Sequence, residues 1–309
     1  MKTIGIIVNP HAKKVRTGKI SLDSLKAYVS ENVRINIAGT PSELSDAICL
    51  YRDMKYDYIG IIGGDGTVHM TVSEIIKVYN HDEIPPVLIL KGGTMDDVAH
   101  SVRIKGRGEQ VLRRFIKKNN PSFDPEIVKR DTMKINGKYC FLFGTGAVPR
   151  VLNEAYSGSE KGFIKNINAV VKAIYQALTG FQEKGSIFEK LGADIFVDDN
   201  PLDLTETIGI LSGTIEYIGL GFTPLSRSTE TPGTFHSIIT DAPPRFILKK
   251  ILSLRWGRKI VHPLHYDDLY SRILIRADEP FQYTMDGDLY ECDGTLMVEP
   301  GPEISFIRV

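Results

Sequence analysis

Twice within the first hundred residues a short apolar run ends in a Gly-Gly pair and passes straight into a helical pattern. Asp57 to Ile62 is closed by Gly63-Gly64, and Pro86 to Leu90 by Gly92-Gly93. Strands without a polar face have to be buried on both sides, which predicts a mostly parallel sheet covered by helices. Thr3 to Val8 is another such run, ending at Asn9-Pro10, and Val33 to Ile37 alternates before Gly39-Thr40-Pro41. Helical spacing covers Lys19 to Ser30, Ser42 to Lys55 with Ser42 as N-cap, Thr67 to Tyr79, Met95 to Val102 and Glu109 to Lys118. Ligands of such sheets bind beyond the carboxyl ends of the strands, where both Gly-Gly turns lie.

The pattern changes near Pro121 to Pro125. From Ile127 onward short β-like segments with turn signals dominate, from Thr132–Ile135 to Phe281–Met285, Thr295–Glu299 and Glu303–Val309. Two helical stretches interrupt them, Lys165–Leu178 and Arg245–Arg255. At 309 residues, two domains are expected: an α/β domain over 1–125 and a mainly antiparallel β domain from 126. Lys plus Arg and Asp plus Glu number 38 each, so the chain lacks the basic excess that holds nucleic acid by bulk charge. Cys49, Cys140 and Cys292 lie far apart with no CxxC, which suggests neither a disulfide framework nor a zinc site. The opening apolar run is short for a signal segment, and no stretch approaches the roughly 20 apolar residues of a membrane span, so a cytoplasmic protein is expected.

In Gly63-Gly64-Asp65-Gly66-Thr67 the glycines let backbone approach a bulky anion. The following helix would present its first N–H groups and positive dipole end to phosphate. Asp65 beside a phosphate calls for a bridging divalent cation, which points to a Mg²⁺-nucleotide. Thr67 can cap the helix or donate to a phosphate oxygen. Gly92-Gly93-Thr94-Met95-Asp96-Asp97 repeats the design, with acids that suit metal handling or simply complement a helix start. A GxxxxGK[ST] loop, GxGxxG, HExxH and GxSxG are all absent. Asp286-Gly287, between β-like segments, reads by itself as a hairpin turn.

Together, GGDGT at 63–67 and GGTMDDVA at 92–99 resemble the catalytic domain of the diacylglycerol kinase and sphingosine kinase superfamily, closest to the small bacterial lipid kinases. Asn9-Pro10 with Lys13 and Lys14, Phe143-Gly144-Thr145-Gly146-Ala147 and Met285-Asp286-Gly287-Asp288 agree in order. The resemblance implies a phosphofructokinase- or NAD kinase-like α/β domain for ATP and a β-sandwich over 126–302 for the acceptor, with strand 303–309 returning to the first domain. Carried over residue by residue, Gly63, Gly64, Asp65, Gly66, Thr67, Val68, His69, Gly93 and Thr94 would hold the nucleotide phosphates. Asn9, Lys14 and Thr40 would lie near the nucleotide. Asp65 and Asp97 would belong to the acidic network around Mg²⁺. Asp286 would be the general base, with Asp288 in the place of the motif's glutamate. Lys172 matches a family lysine weakly.

The implied reaction is transfer of the γ-phosphoryl group of ATP to a hydroxyl of a diacylglycerol-like or sphingoid lipid at a membrane surface. Homodimerisation stays open. An NAD kinase-like enzyme (weakly echoed by Asn153-Glu154) and a weakly active nucleotide- or lipid-binding regulator are the alternatives. Met70, Lys91 and Asp96 depart from the family's glutamate, proline and asparagine. Glu230-Thr231-Pro232-Gly233-Thr234 has one carboxylate where many relatives have an acidic metal loop. Finally, Arg245 to Lys259 carries six basic residues, no acid, and interleaved apolar residues including Trp256. It reads either as a domain helix with its apolar side in the core or as an interfacial membrane helix. Arg103 to Lys118, also basic, reads as a solvated helix face.

Overall fold

The computed structural model of the chain describes residues 1–80, 83–93, 96–156, 175, 179, 185–219 and 221–309. The helix expected at Lys165–Leu178, Tyr175 apart, and the candidates Lys172 and Thr94 lie outside the described residues. The chain divides into two compact units, Met1–Thr132 with Pro302–Val309, and Met133–Gly301.

The first unit contains β1 (Ile4–Val8), α1 (Lys13–Arg16), α2 (Leu22–Lys26), β2 (Val33–Ile37), α3 (Pro41–Asp53), β3 (Tyr58–Ile62), α4 (Asp65–Tyr79), β4 (Val87–Ile89), α5 (Asp97–Ser101) and α6 (Gly108–Lys118). Its strands lie in the order β4-β3-β1-β2, all parallel. Every residue of β1, β3 and β4 is buried, as their unbroken apolar sequences require. The chain's last strand, β18 (Thr295–Arg308), reaches β4 in parallel through Phe306 and Val87.

The helix ends correct two expectations. α3 is capped by Thr40, not Ser42. The Thr40 hydroxyl accepts from the Glu43 N–H at 3.3 Å, and Glu43 Oε2 accepts from the Thr40 N–H at 3.0 Å. Pro41 then falls at the first helical position and Glu43 at the third, where a capping box needs it. The helix expected over Lys19 to Ser30 shrinks to α2, because Ser21 caps it on one side and on the other Val29 is 53 % exposed, leaving a longer helix little to bury.

Elements of the second unit are β6 (Lys138–Cys140), β7 (Leu142–Gly146), α7 (Ala147–Tyr156), β8 (Leu191–Gly192), β9 (Asp194–Val197), β10 (Asn200–Pro201), β11 (Glu206–Thr207), β12 (Gly209–Gly213), β13 (Phe235–Thr240), β14 (His265–Tyr270), β15 (Ile273–Arg276), β16 (Phe281–Met285) and β17 (Asp288–Cys292). β5 (Glu126–Ile135), like β18, has residues in both units. One antiparallel sheet runs β14-β13-β12-β7-β16-β17, and β9, β15 and β18 pair antiparallel in a second. Phe143, Phe235 and Met285 of the first sheet share one core with Ile195, Ile275 and Val298 of the second, the packing of a β-sandwich.

The expected helix Arg245–Arg255 is broken at Lys250 into Pro244–Lys249 and Ile251–Arg255. The second piece buries no residue. Leu252 is 57 % exposed, Trp256 56 % and Val261 83 %. Phe246, Ile247, Leu248 and Leu254 are half-buried, so the apolar side is divided, with Leu252, Trp256 and Val261 left outside the core.

Candidate functional site

The two glycine turns sit at the ends of the neighbouring strands β3 and β4, and they pack on each other backbone to backbone. The Gly92 N–H donates to the Gly63 carbonyl at 2.7 Å, the Lys14 N–H to the Gly92 carbonyl at 3.1 Å, and the Asn9 N–H to the Ile62 carbonyl at 3.0 Å. A methyl on Gly93 would stand 2.5 Å from Gly64 Cα, and one on Gly92 2.8 Å from the Gly63 nitrogen. At Gly63 it would meet the Thr67 side chain at 2.2 Å. The glycines are thus demanded by the turns themselves, whatever ligand they also admit.

Gly64 is the N-cap residue of α4. The first helical N–H groups, at Asp65, Gly66 and Thr67, have by position no acceptor inside the helix, whereas the Val68 N–H donates to the Gly64 carbonyl at 3.0 Å. Val68 and His69 point into the core, 2 % and 0 % exposed, so their side chains are part of the packing. Asn9 Nδ2 donates to Thr67 Oγ1 at 2.8 Å, which fixes the opening loop to the first turn.

A second bond set ties Lys14 to the other turn. Lys14 Nζ pairs with Asp96 Oδ2 at 2.8 Å and also donates to the Lys91 carbonyl at 3.3 Å. Asp96 Oδ1 accepts from the Gly93 N–H at 3.0 Å, and Asp96 itself sits at φ 55°. The departure at Asp96 therefore has a structural explanation: a carboxylate here neutralises Lys14. Burial, aided by the Lys14 charge, lowers the Lys91 pKa. It lowers that of His100 as well, with Lys91 and Lys14 adding to the effect. Asp65 Oδ1 accepts from the Val98 N–H at 3.4 Å, at the start of α5, and Asp97 is nearly buried in that helix's first turn. Thr40 uses its hydroxyl to cap α3.

No three potential ligand side chains cluster to hold a metal among the described residues. Mg²⁺ carried in by a nucleotide would need only one or two carboxylates beside the phosphates; with Asp96 spent on Lys14, Asp65 and Asp97 in the first turns of α4 and α5 would be the ones to supply them.

In the second unit, Asp286 and Gly287 form the two-residue turn between β16 and β17, with φ 48° and 91° and Met285 paired to Asp288. Two positive φ values in a two-residue hairpin loop are the type I′ arrangement. The carboxylate is anchored: Oδ1 accepts from the N–H groups of Phe141 at 3.0 Å and Leu142 at 2.7 Å. The turn reading and a role for the carboxylate are therefore compatible. Asp288 is exposed at the start of β17. Glu230 is turned onto Arg227 at 2.6 Å, and Arg227 also pairs with Asp268 at 2.7 Å, so the one carboxylate of residues 230–234 is engaged in an ion pair. Asn153 Nδ2 donates to Gln282 Oε1 at 2.9 Å.

Residues 3–125 match the family model of the diacylglycerol kinase catalytic domain. Two Staphylococcus aureus chains provisionally named lipid kinases, from strains MSSA476 and MW2, are 25% identical to this one over 240 residues, covering 75% of it and 71% of their own length. A crystal structure titled as a diacylglycerol kinase from Bacillus anthracis aligns with 100% of this chain and 97% of its own, at TM-score 0.66 and 17% identity. A second structure from that organism, provisionally named a diacylglycerol kinase, aligns over the same shares at TM-score 0.72 and 16% identity. These structures share the fold. The resemblance read from the motifs stands on these findings together.

Proposed function

We propose that this chain, which carries the diacylglycerol kinase catalytic domain at residues 3–125, transfers the γ-phosphoryl group of ATP to a hydroxyl of a diacylglycerol-like or sphingoid lipid. The observation that carries the reading is the pair of glycine turns at adjacent strand ends, each leading to a helix whose first turn bears an acid, Asp65 or Asp97. Backbone N–H groups at the start of α4 would hold phosphate oxygens, with Asn9 keeping Thr67 oriented. Mg²⁺, when bound, would offset charge on the phosphates. Little covalent work falls to the protein in such a transfer, so positioning and neutralisation dominate. Asp286 is the proposed base for the acceptor hydroxyl, its carboxylate pre-oriented by the Phe141 and Leu142 N–H groups.

The acceptor class implies work at a bilayer, and no helix among the described residues is long and apolar enough to cross one. The exposed Leu252, Trp256 and Val261, interspersed with Lys249, Lys250, Arg255, Arg258 and Lys259, form the surface proposed to rest on anionic lipid. Each basic residue near such a surface is worth about 1 kcal/mol.

Labelled ATP incubated with a total lipid extract, and separately with NAD, tests the reading. Label in a lipid is expected; label only in NAD, or in neither while ATP still binds, overturns it. Vesicles containing anionic lipid should sediment the protein, and Lys249→Glu with Lys250→Glu should abolish that; unchanged sedimentation removes the segment from its role.

A further inference from the structure

A cavity of about 640 Å³ opens in the first unit, lined by five cations and one acid: Lys14, Lys19, Lys91, Arg107 and Arg113 against Glu109. They come from four separate places in the chain: α1, the turn after it, the residues following β4, and α6 with its N-cap Arg107. The α6 start is pressed onto the strand end, since a methyl on Gly108 would stand 2.8 Å from the Leu90 carbonyl oxygen. Arg107 and Arg113 are exposed, as a solvated helix face requires, and both line the cavity from its solvent side.

The charge in the cavity is poorly compensated. Lys14 has Asp96. Glu109 lies 3.8 Å from Arg113, a loose contact. Lys91 gives its ammonium to the Ile104 carbonyl, not to an acid. Among the described residues, neither Lys19 nor Arg107 has a carboxylate partner. Burial is the main cause of the lowered pKa of Lys91, and the nearby Lys14 charge adds to it.

We infer that the cavity is a binding site for a small anion carrying phosphate or pyrophosphate, separate from the phosphate seat at the start of α4. The volume falls within the range of small-molecule pockets. Two guanidinium groups supply the planar fork that grips phosphate oxygens in pairs, and three ammonium groups supply point charge. Lys14 connects the site to the second glycine turn, because its partner Asp96 holds the Gly93 N–H.

Inorganic pyrophosphate is the probe, titrated calorimetrically into the full chain with no lipid or ATP present, so the outcome does not depend on phosphoryl transfer. Saturable binding that weakens as salt rises is expected. Lys91→Gln with Arg107→Gln should weaken it at least tenfold while binding of a non-hydrolysable ATP analogue and the thermal midpoint stay unchanged. Lys19→Gln with Arg113→Gln, both at exposed positions, gives the same expectation should the first pair disturb folding. No saturable binding to the unaltered protein overturns the inference, as does undiminished binding by both pairs. So does a parallel loss of ATP-analogue binding, which would make the cavity the nucleotide's own seat. Sedimentation with phosphatidylcholine vesicles, with and without phosphatidate, separates the two sources of such an anion. Phosphatidate-dependent binding that pyrophosphate displaces and the double variants lose assigns the site to a lipid headgroup; insensitivity to both assigns it to a free anion.

Discussion

The glycine turns of the first unit and the Asp286-Gly287 turn of the second are both built from glycine and aspartate, yet different parts of the chain dictate them. At Gly92 and Gly93 the residue type is set from outside, by the facing backbone of Gly63 and Gly64 that leaves no room for a methyl, and at Gly63 by the Thr67 side chain, while at Gly64 the contact is looser. At 286–287 it is set from inside, by a two-residue loop that needs positive φ twice and by a carboxylate that binds the neighbouring backbone. In the first case the side chain is absent and only main-chain N–H groups are offered to a ligand. In the second the side chain holds the fold and is the proposed base. Substitution should therefore separate fold from chemistry at Asp286 and fail to separate them at the glycines.

The largest effect expected is on transfer by Asp286→Asn. Asparagine tolerates positive φ and keeps a carbonyl oxygen to accept from Leu142, so the hairpin should persist. It cannot take a proton, and removing a positioned base costs about 10²- to 10⁴-fold. Turnover should fall in that range with the thermal midpoint nearly unmoved and nucleotide binding intact. Retained turnover would remove Asp286 from the base role. A collapse of the fold would show that its hydrogen bonds dominate, and the contrast with the glycines would disappear.

Next comes Gly93→Ala, at about 3 kcal/mol of stability by denaturant unfolding, because the new methyl meets Gly64 Cα at 2.5 Å and backbone must move. Nucleotide binding should fall with it. Gly64→Ala is the milder partner: its methyl would stand 3.1 Å from Gly93 Cα, a gap that a few tenths of an ångström relieves. About 1 kcal/mol is expected there. Equal losses at the two positions would mean that the contact distance does not set the cost.

Legibility from sequence followed the same division. β1, β3 and β4 were readable because burial on both faces leaves a continuous apolar run. β14 and β17 were not. They are the two edge strands of their sheet, and HYDDLY and DLYEC break the apolar alternation: in β14 His265 is buried and Asp267 is spent on the buried His236, while in β17 Asp288 and Glu291 are exposed. The hairpin at Asp286-Gly287 was legible as a local signal. The mutual packing of the glycine turns was not, since it joins residues about 30 apart through backbone alone. Nor was the Lys14–Asp96 pair, 82 residues apart in sequence. The Thr40 cap was available in Thr-Pro-Ser-Glu, where glutamate three residues after a threonine is the capping-box signature.

The smallest expected effect bears on whether steric exclusion alone holds the first unit's turns. The Asn9–Thr67 bond, 2.8 Å between Nδ2 and Oγ1, is a side-chain contact between the opening loop and the first turn. A net hydrogen bond of this kind contributes about 1 kcal/mol. Asn9→Ala, Thr67→Ala and the double variant close a thermodynamic cycle in denaturant unfolding. Thr67→Ala also withdraws the side chain crowding Gly63, so its single effect mixes relief with loss, and only the coupling term isolates the bond. A coupling of about 1 kcal/mol leaves the glycine contacts as the dominant restraint. A coupling of about 3 kcal/mol would place the restraint in side chains here as well, and would make the first unit's turns resemble the second's.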